Sequence, residues 1–173
     1  AKNYGQAFMH LQPLAEEGVP AAQFTLGEMY RRGRGFVKST PEALPWLKQA
    51  AEAKYLPALN VLGEMHEAGE GVAQDFEAAA QWFQKAADAG DAKGQLNLAL
   101  HYIRVEDARD FTQAAKWFKR AAKQNEPEAQ YFYARLLLDG KGVEQNLEEA
   151  MTWLTQSSAQ SHAPARRFLR LLQ

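Results

Sequence analysis

At 173 residues, 46% hydrophobic, 24% charged and with a net charge of −1, the chain has the composition of one ordinary folded domain. Its Lys and Arg are spread along the sequence, which excludes the clustered basic face that nucleic acid requires, and no apolar run reaches the roughly 18 residues of a membrane span. No cysteine is present, which excludes disulfides and thiol chemistry, and the four histidines lack H-E-x-x-H or any other paired ligand spacing.

The chain is periodic. Trp46, Trp82, Trp117 and Trp153 follow at intervals of 36, 35 and 36, and His10 lies another 36 upstream. A period of that size marks a stacked repeat protein. Residues 3–18 read as a lone helix of a type we call B, capped by Asn3, carrying Ala7 and stopped at Gly18. Repeat one, 20–54, opens a helix of type A after Pro20, with Ala22, Leu26, Gly27 and Tyr30 on its packing side. It turns at Gly33 and Gly35, and its helix B runs from Ser39 past Pro41, Ala43 and Trp46 to Lys54. Repeat two, 56–90, has Pro57, Ala58, Leu62, Gly63 and His66, the turn Gly69 and Gly71, then Asp75, Ala79, Trp82 and Gly90.

Repeat three, 92–125, carries Gly94, Leu98, Ala99 and Tyr102, then Asp110, Ala114, Trp117 and Asn125. It lacks the Gly-x-Gly turn and is one residue shorter, which accounts for the interval of 35. Repeat four, 127–161, has Pro127, Ala129, Tyr133, Ala134 and Leu137, the turn Gly140 and Gly142, then Asn146, Ala150, Trp153 and Ser161. A final helix A, with Ala165 and Leu169, occupies 163–173. Asn, Ser and Asp seven residues before each Trp position accept from free N–H groups of the first helical turn, each contributing about 1 kcal/mol. Gly and Asn suit a left-handed stop, whereas Lys54 and Ser161 suit it less well and are expected to end their helices differently. The chain starts on Ala1 and in mid-repeat, which reads as end helices acting as caps or as a piece of a longer protein. Each A–B pair needs its neighbours to cover its apolar face.

The pattern A-x-x-x-L-G-x-x-Y-x-x-G-x-G-V, then A-x-x-W-x-x-K-A-A-x-x-G, resembles the Sel1-like repeat. It is clearest at Ala58, Leu62, Gly63, His66, Gly69, Gly71, Val72, Asp75, Ala79, Trp82, Lys85, Ala86, Ala87 and Gly90. The departures are the missing third turn, His66 for Tyr, His10 for Trp and Ser157-Ser158 for Ala-Ala. The resemblance implies an all-α, right-handed αα-superhelix, a solenoid of about ten helices related to tetratricopeptide repeats. It also implies a protein-interaction scaffold. Such proteins in bacteria are often exported or envelope-associated, so a periplasmic or secreted setting is favoured and the cytoplasm is the alternative.

Catalytic constellations are absent from the pattern. The Gly-x-Gly turns lack the flanking residues of a phosphate loop. No serine sits in G-x-S-x-G or S-x-x-K, which weighs against the cell-wall or β-lactam hydrolase activity proposed for some Sel1-like proteins. His66 with Glu64, Glu67 and Glu70 could chelate a metal, but His66 and His10 occupy packing columns, so neither metal nor cofactor is expected. The tryptophans read as helix packing rather than as a stacking platform.

Resemblance to tetratricopeptide repeats implies that helix A lines the concave face. The exposed positions would lie two before the column leucine and two, five and six after it. They are Phe24, Glu28, Arg31 and Arg32, then Asn60, Glu64, Glu67 and Ala68, then Leu96, Leu100, Ile103 and Arg104. Repeat four adds Tyr131, Arg135, Leu138 and Asp139, and the last helix adds Arg167 and Leu171. Leu96, Leu100, Ile103, Tyr131 and Leu138 would form an apolar cluster rimmed by charge, the character of a groove for a protein or peptide partner. A facing rotated by one position would instead place some of them in the core.

Overall fold

A computed structural model describes residues 4–35 and 37–172, apart from the side chain of Leu172. These residues form ten helices and no strand. In order they are α1 (Tyr4–Glu16), α2 (Pro20–Arg32), α3 (Thr40–Glu52), α4 (Leu56–Ala68), α5 (Phe76–Asp88), α6 (Ala92–Arg104), α7 (Phe111–Lys123), α8 (Pro127–Asp139), α9 (Leu147–Ala159) and α10 (Ala163–Leu172). Odd-numbered helices are type B and even-numbered ones type A. The chain divides into two compact units, Ala1–Trp82 and Phe83–Gln173.

Local chemistry sets the ends of the helices. The Asp75 carboxylate accepts from the Ala78 N–H at 2.9 Å, Asp110 from Thr112 and Gln113 at 2.9 and 3.0 Å, and Asn146 from Glu149 at 2.9 Å. Ser39 caps α3 more loosely, accepting from Glu42 at 3.5 Å. Asn3, the remaining expected cap, lies outside the described residues. Helices α2, α4 and α8 start without a side-chain cap but with proline in the first turn, where its missing N–H leaves nothing unpaired. Helix α6 has no such proline, and there Asp91 accepts from the Gly94 N–H at 2.7 Å.

All five B helices end alike, which corrects the expectation for Lys54 and Ser161. Gly18, Lys54, Gly90, Asn125 and Ser161 have φ of 88°, 59°, 86°, 68° and 67°. In each case the next N–H reaches back across the turn, as from Tyr55 to the Ala50 carbonyl at 3.0 Å and from His162 to Ser157 at 3.3 Å. The bond to an otherwise orphaned carbonyl outweighs the left-handed cost of about 1 kcal/mol that a side chain adds.

The A-to-B loops also share one closure. The N–H of each cap residue donates to a helix-A carbonyl: Ser39 to Tyr30, Asp75 to His66, Asp110 to Tyr102 and Asn146 to Leu137, at 2.9–3.0 Å. The third loop, without glycines, therefore closes as the others do.

Packing is periodic within each unit. In the first, α2 packs on α1 and α3, and α3 on α4. Ala15, Ala22 and Leu26 form a buried cluster against which Phe8, Leu11, Tyr30 and Trp46 pack. In the second, α7 lies between α6 and α8, and α9 between α8 and α10. The column Ala22, Ala58, Gly94, Ala129, Ala165 is buried throughout, as are Leu26, Leu62, Leu98 and Tyr133, while Leu169 in the last helix is half-buried. Each buried Leu side chain contributes about 2 kcal/mol of transfer free energy. His10 departs from its column and is exposed, because α1 packs chiefly on α2 and lacks the second neighbour that α3, α7 and α9 have.

Candidate partner-binding site

In the first unit, the predicted residues of α2 are half-buried apart from the exposed Arg32, and their charges are satisfied within the unit. Glu28 pairs with both Arg31 and Arg32, and Arg31 also meets Glu70 at 2.7 Å. Lys38 reaches the other Glu70 oxygen at 3.3 Å. Burial opposes charge on Glu70, yet the hydrogen bonds from Arg31 and Lys38 overcome it and hold the carboxyl below its usual range. Burial also opposes charge on Arg31, and its two carboxylates more than offset that. Glu70 thus turns to cations rather than to His66. Phe24 leans on Tyr55 with ring centroids 5.3 Å apart, and a shallow cavity of about 410 Å³ lies among Phe24, Glu28, Arg32, Tyr4, Leu11 and Arg34. Glu64 and Glu67 are half-buried on α4, and Ala68 is exposed.

Asn60 is not on an open face. It is 2% exposed, and its side chain donates to the Leu56 carbonyl at 3.2 Å, one turn back on its own helix.

In the second unit, the expected apolar cluster is split. Leu96 and Leu100 are 5% and 7% exposed and belong to the core. At the position two after the column leucine the outcome follows the residue type. Aliphatic Leu100 folds onto its neighbours, while Arg135 at the equivalent position keeps its charge in water. Ile103, Tyr131 and Leu138 are half-buried, and Arg104, Arg135, Asp139, Arg167 and Leu171 are exposed.

Two cavities lie in this unit. One, of about 310 Å³, is lined by Ile103, Arg109, Phe111, Phe132, Arg135 and Asp139 among others. The second, of about 540 Å³, is lined by Tyr131, Ala163, Pro164, Arg167, Phe168 and Leu171. The structure thus unites Tyr131 with Arg167 and Leu171, and Ile103 with Arg135 and Asp139. The aromatic walls, Phe132 and Phe168, are missing from the expected set. Each follows a face position by one residue, and that adjacency was the available signal.

Ser157 and His162 meet in this region, with Oγ and Nδ1 3.1 Å apart. The serine is fully buried and donates its one proton to the Pro127 carbonyl at 2.6 Å. His162 must therefore donate from Nδ1, the reverse of the arrangement that activates a nucleophile. The hydrogen bond explains how serine is accommodated in an alanine column. Among the described residues no group of three or more His, Asp or Glu is placed to hold a metal ion, and no helix is long and apolar enough to cross a membrane.

Among the described residues, nine helices of thirteen residues, recurring caps and a repeated packing column define an αα-repeat protein of the tetratricopeptide-like class. The Sel1 repeat family model matches residues 1–19, 20–55, 56–91, 92–126 and 127–162, and the chain belongs to that family. Sel1 repeats generally mediate protein interactions, and the family is generally one of non-enzymatic scaffolds. Among solved structures, the chain is similar to c5321, a protective antigen of uropathogenic Escherichia coli with an SLR fold, at 33% identity and TM-score 0.87 over 91% of this chain and 34% of that one. It is also similar to a Sel1 repeat protein from Oxalobacter formigenes, at 32% identity and TM-score 0.85 over 95% of this chain and 48% of that one. Helicobacter pylori cysteine rich protein B shares the fold at 21% identity and TM-score 0.56, over 70% of this chain and 93% of that one. The chain spans about a third and about half the length of the first two. No curated protein matches it.

Proposed function

We propose that the chain is a non-enzymatic scaffold that holds a partner protein or extended peptide along exposed residues of its A helices. The observation that carries this reading is in the second unit, where Ile103, Tyr131, Arg135 and Arg167 retain exposure and line two cavities with aromatic walls. Apolar side chains rimmed by cations suit a partner recognised by shape and charge together. In the first unit Phe24, Glu28 and Arg31 offer a smaller site, with most of its charge already paired.

A photo-crosslinking residue placed at Arg135 or Tyr131 should capture a protein partner in source-cell fractions, whereas one at the exposed Lys116 of helix α7 should not. Capture from Lys116 alone would move the interaction to the B helices and overturn the reading.

A further inference from the structure

We propose that the cavity lined by α8 and α10 receives an acidic segment of a partner polypeptide, with a large apolar side chain in the cavity and carboxylates on Arg135 and Arg167. This rests on the A-helix reading above and names the chemistry of the partner. The cavity wall is apolar except for Arg167, and about 540 Å³ accommodates an aromatic or leucine side chain with its flanking backbone.

The wall is held in place before anything binds. Tyr131 meets Phe132 at 5.3 Å, Phe168 edge-on at 6.2 Å and His162 at 5.3 Å. His162 is in turn tied to Ser157. Ordering cost on binding is correspondingly small.

Charge selects the ligand. The last acidic residue is Glu149, so residues 150–173 carry Arg166, Arg167 and Arg170 with no carboxylate, +3 against −4 for residues 1–149. Arg166 is engaged, donating to the Ser158 carbonyl at 3.2 Å and to Ser161 at 2.9 Å. Arg135 lies 5.8 Å from the Tyr131 ring centroid, and neither it nor Arg167 has a carboxylate partner among the described residues. On α8 itself, Glu128 stands in the first turn and Asp139 at the far end pairs with Lys141 at 3.2 Å. In the first unit, by contrast, Arg31 and Arg32 are both paired. Guanidinium groups bind carboxylates in a planar, two-pronged fashion, and an adjoining concavity admits a side chain.

The test is phage display of random dodecapeptides against the intact chain. The enriched sequences are then made as fluorescent peptides and measured by anisotropy against wild type and an Arg135→Gln/Arg167→Gln variant of matched circular dichroism. The expected result is enrichment of Asp or Glu beside Trp, Phe or Leu, affinity falling at least tenfold in the variant, and steep weakening with salt. Peptides that need Tyr131 or Leu138 but show no acidic preference would overturn this inference and leave the scaffold reading standing. Enrichment insensitive to every substitution on the A helices would overturn both. Phosphatidylserine vesicles form a parallel arm: binding to them through the same arginines, with no acidic peptide enriched, would also overturn the proposal.

Discussion

The side-chain amide of Gln130 donates to the carbonyl of Ala122, eight residues back at the end of the preceding helix, at 3.3 Å. Gln23 repeats the bond to Ala15 at 3.1 Å, Gln95 to Ala87 at 3.4 Å and Arg166 to Ser158 at 3.2 Å. Each of these carbonyls also accepts from the backbone N–H three residues on, so the side chain supplies a second bond at the helix end. A second glutamine joins each buried one: Gln49 with Gln23 at 2.9 Å, Gln124 with Gln95 at 2.9 Å and Gln160 with Gln130 at 3.0 Å. Leu59 occupies the same column in the second repeat and is buried without this bond.

Gln130→Ala should therefore destabilise the chain by about 3 kcal/mol, through a cavity and unsatisfied partners. Gln130→Leu should cost less, about 1–2 kcal/mol, because Leu59 shows that the column accepts leucine. Urea unfolding followed by circular dichroism measures both: a Leu variant as stable as wild type would refute a role for the hydrogen bonds, and equal costs would refute a role for the cavity.

Lys54 holds a left-handed backbone at φ 59° with no glycine to ease it. Lys54→Gly is expected to stabilise by about 1 kcal/mol, and Gly90→Ala, at φ 86° with open space around it, to destabilise by about the same amount. Thermal midpoints moving in opposite directions would verify the pair.

The two glycines of one turn should behave differently. A side chain at Gly140 would meet only ordinary contact with Gln145, at 3.6 Å, whereas one at Gly142 would drive into the backbone of Phe111 at the start of α7. Gly140→Ala should cost about 1 kcal/mol and Gly142→Ala more than about 3 kcal/mol. Comparable losses in denaturant midpoint would show that the second glycine is needed for its φ alone.

Glu70 contributes stability through its depressed carboxyl. A folded-state value below the unfolded one means the contribution is present above the ordinary value of 4.5 and lost as the pH falls through the lower folded value. Glu70→Gln should lower the melting temperature at pH 7, with the gap to wild type closing towards pH 3. A gap that stays constant across that range would exclude the ion pairs with Arg31 and Lys38 as its source.

By itself the sequence determined the order of the helices, the caps at Ser39, Asp75, Asp110 and Asn146, the stops at Gly18, Gly90 and Asn125, and the alanine, leucine and glycine columns between them. These depend on interactions within a few residues, and a period of 36 repeats each signal until it is unambiguous. Tertiary structure alone decided which margin residues stay in water. At the position two before the column leucine, Asn60 and Leu96 are buried, Phe24 and Tyr131 half-buried and Arg167 exposed, because what packs over that margin differs from one repeat to the next. It also decided the partners of Gln23, Gln95 and Gln130 and the close approach at Gly142, because each depends on an atom of another helix whose distance no local pattern encodes.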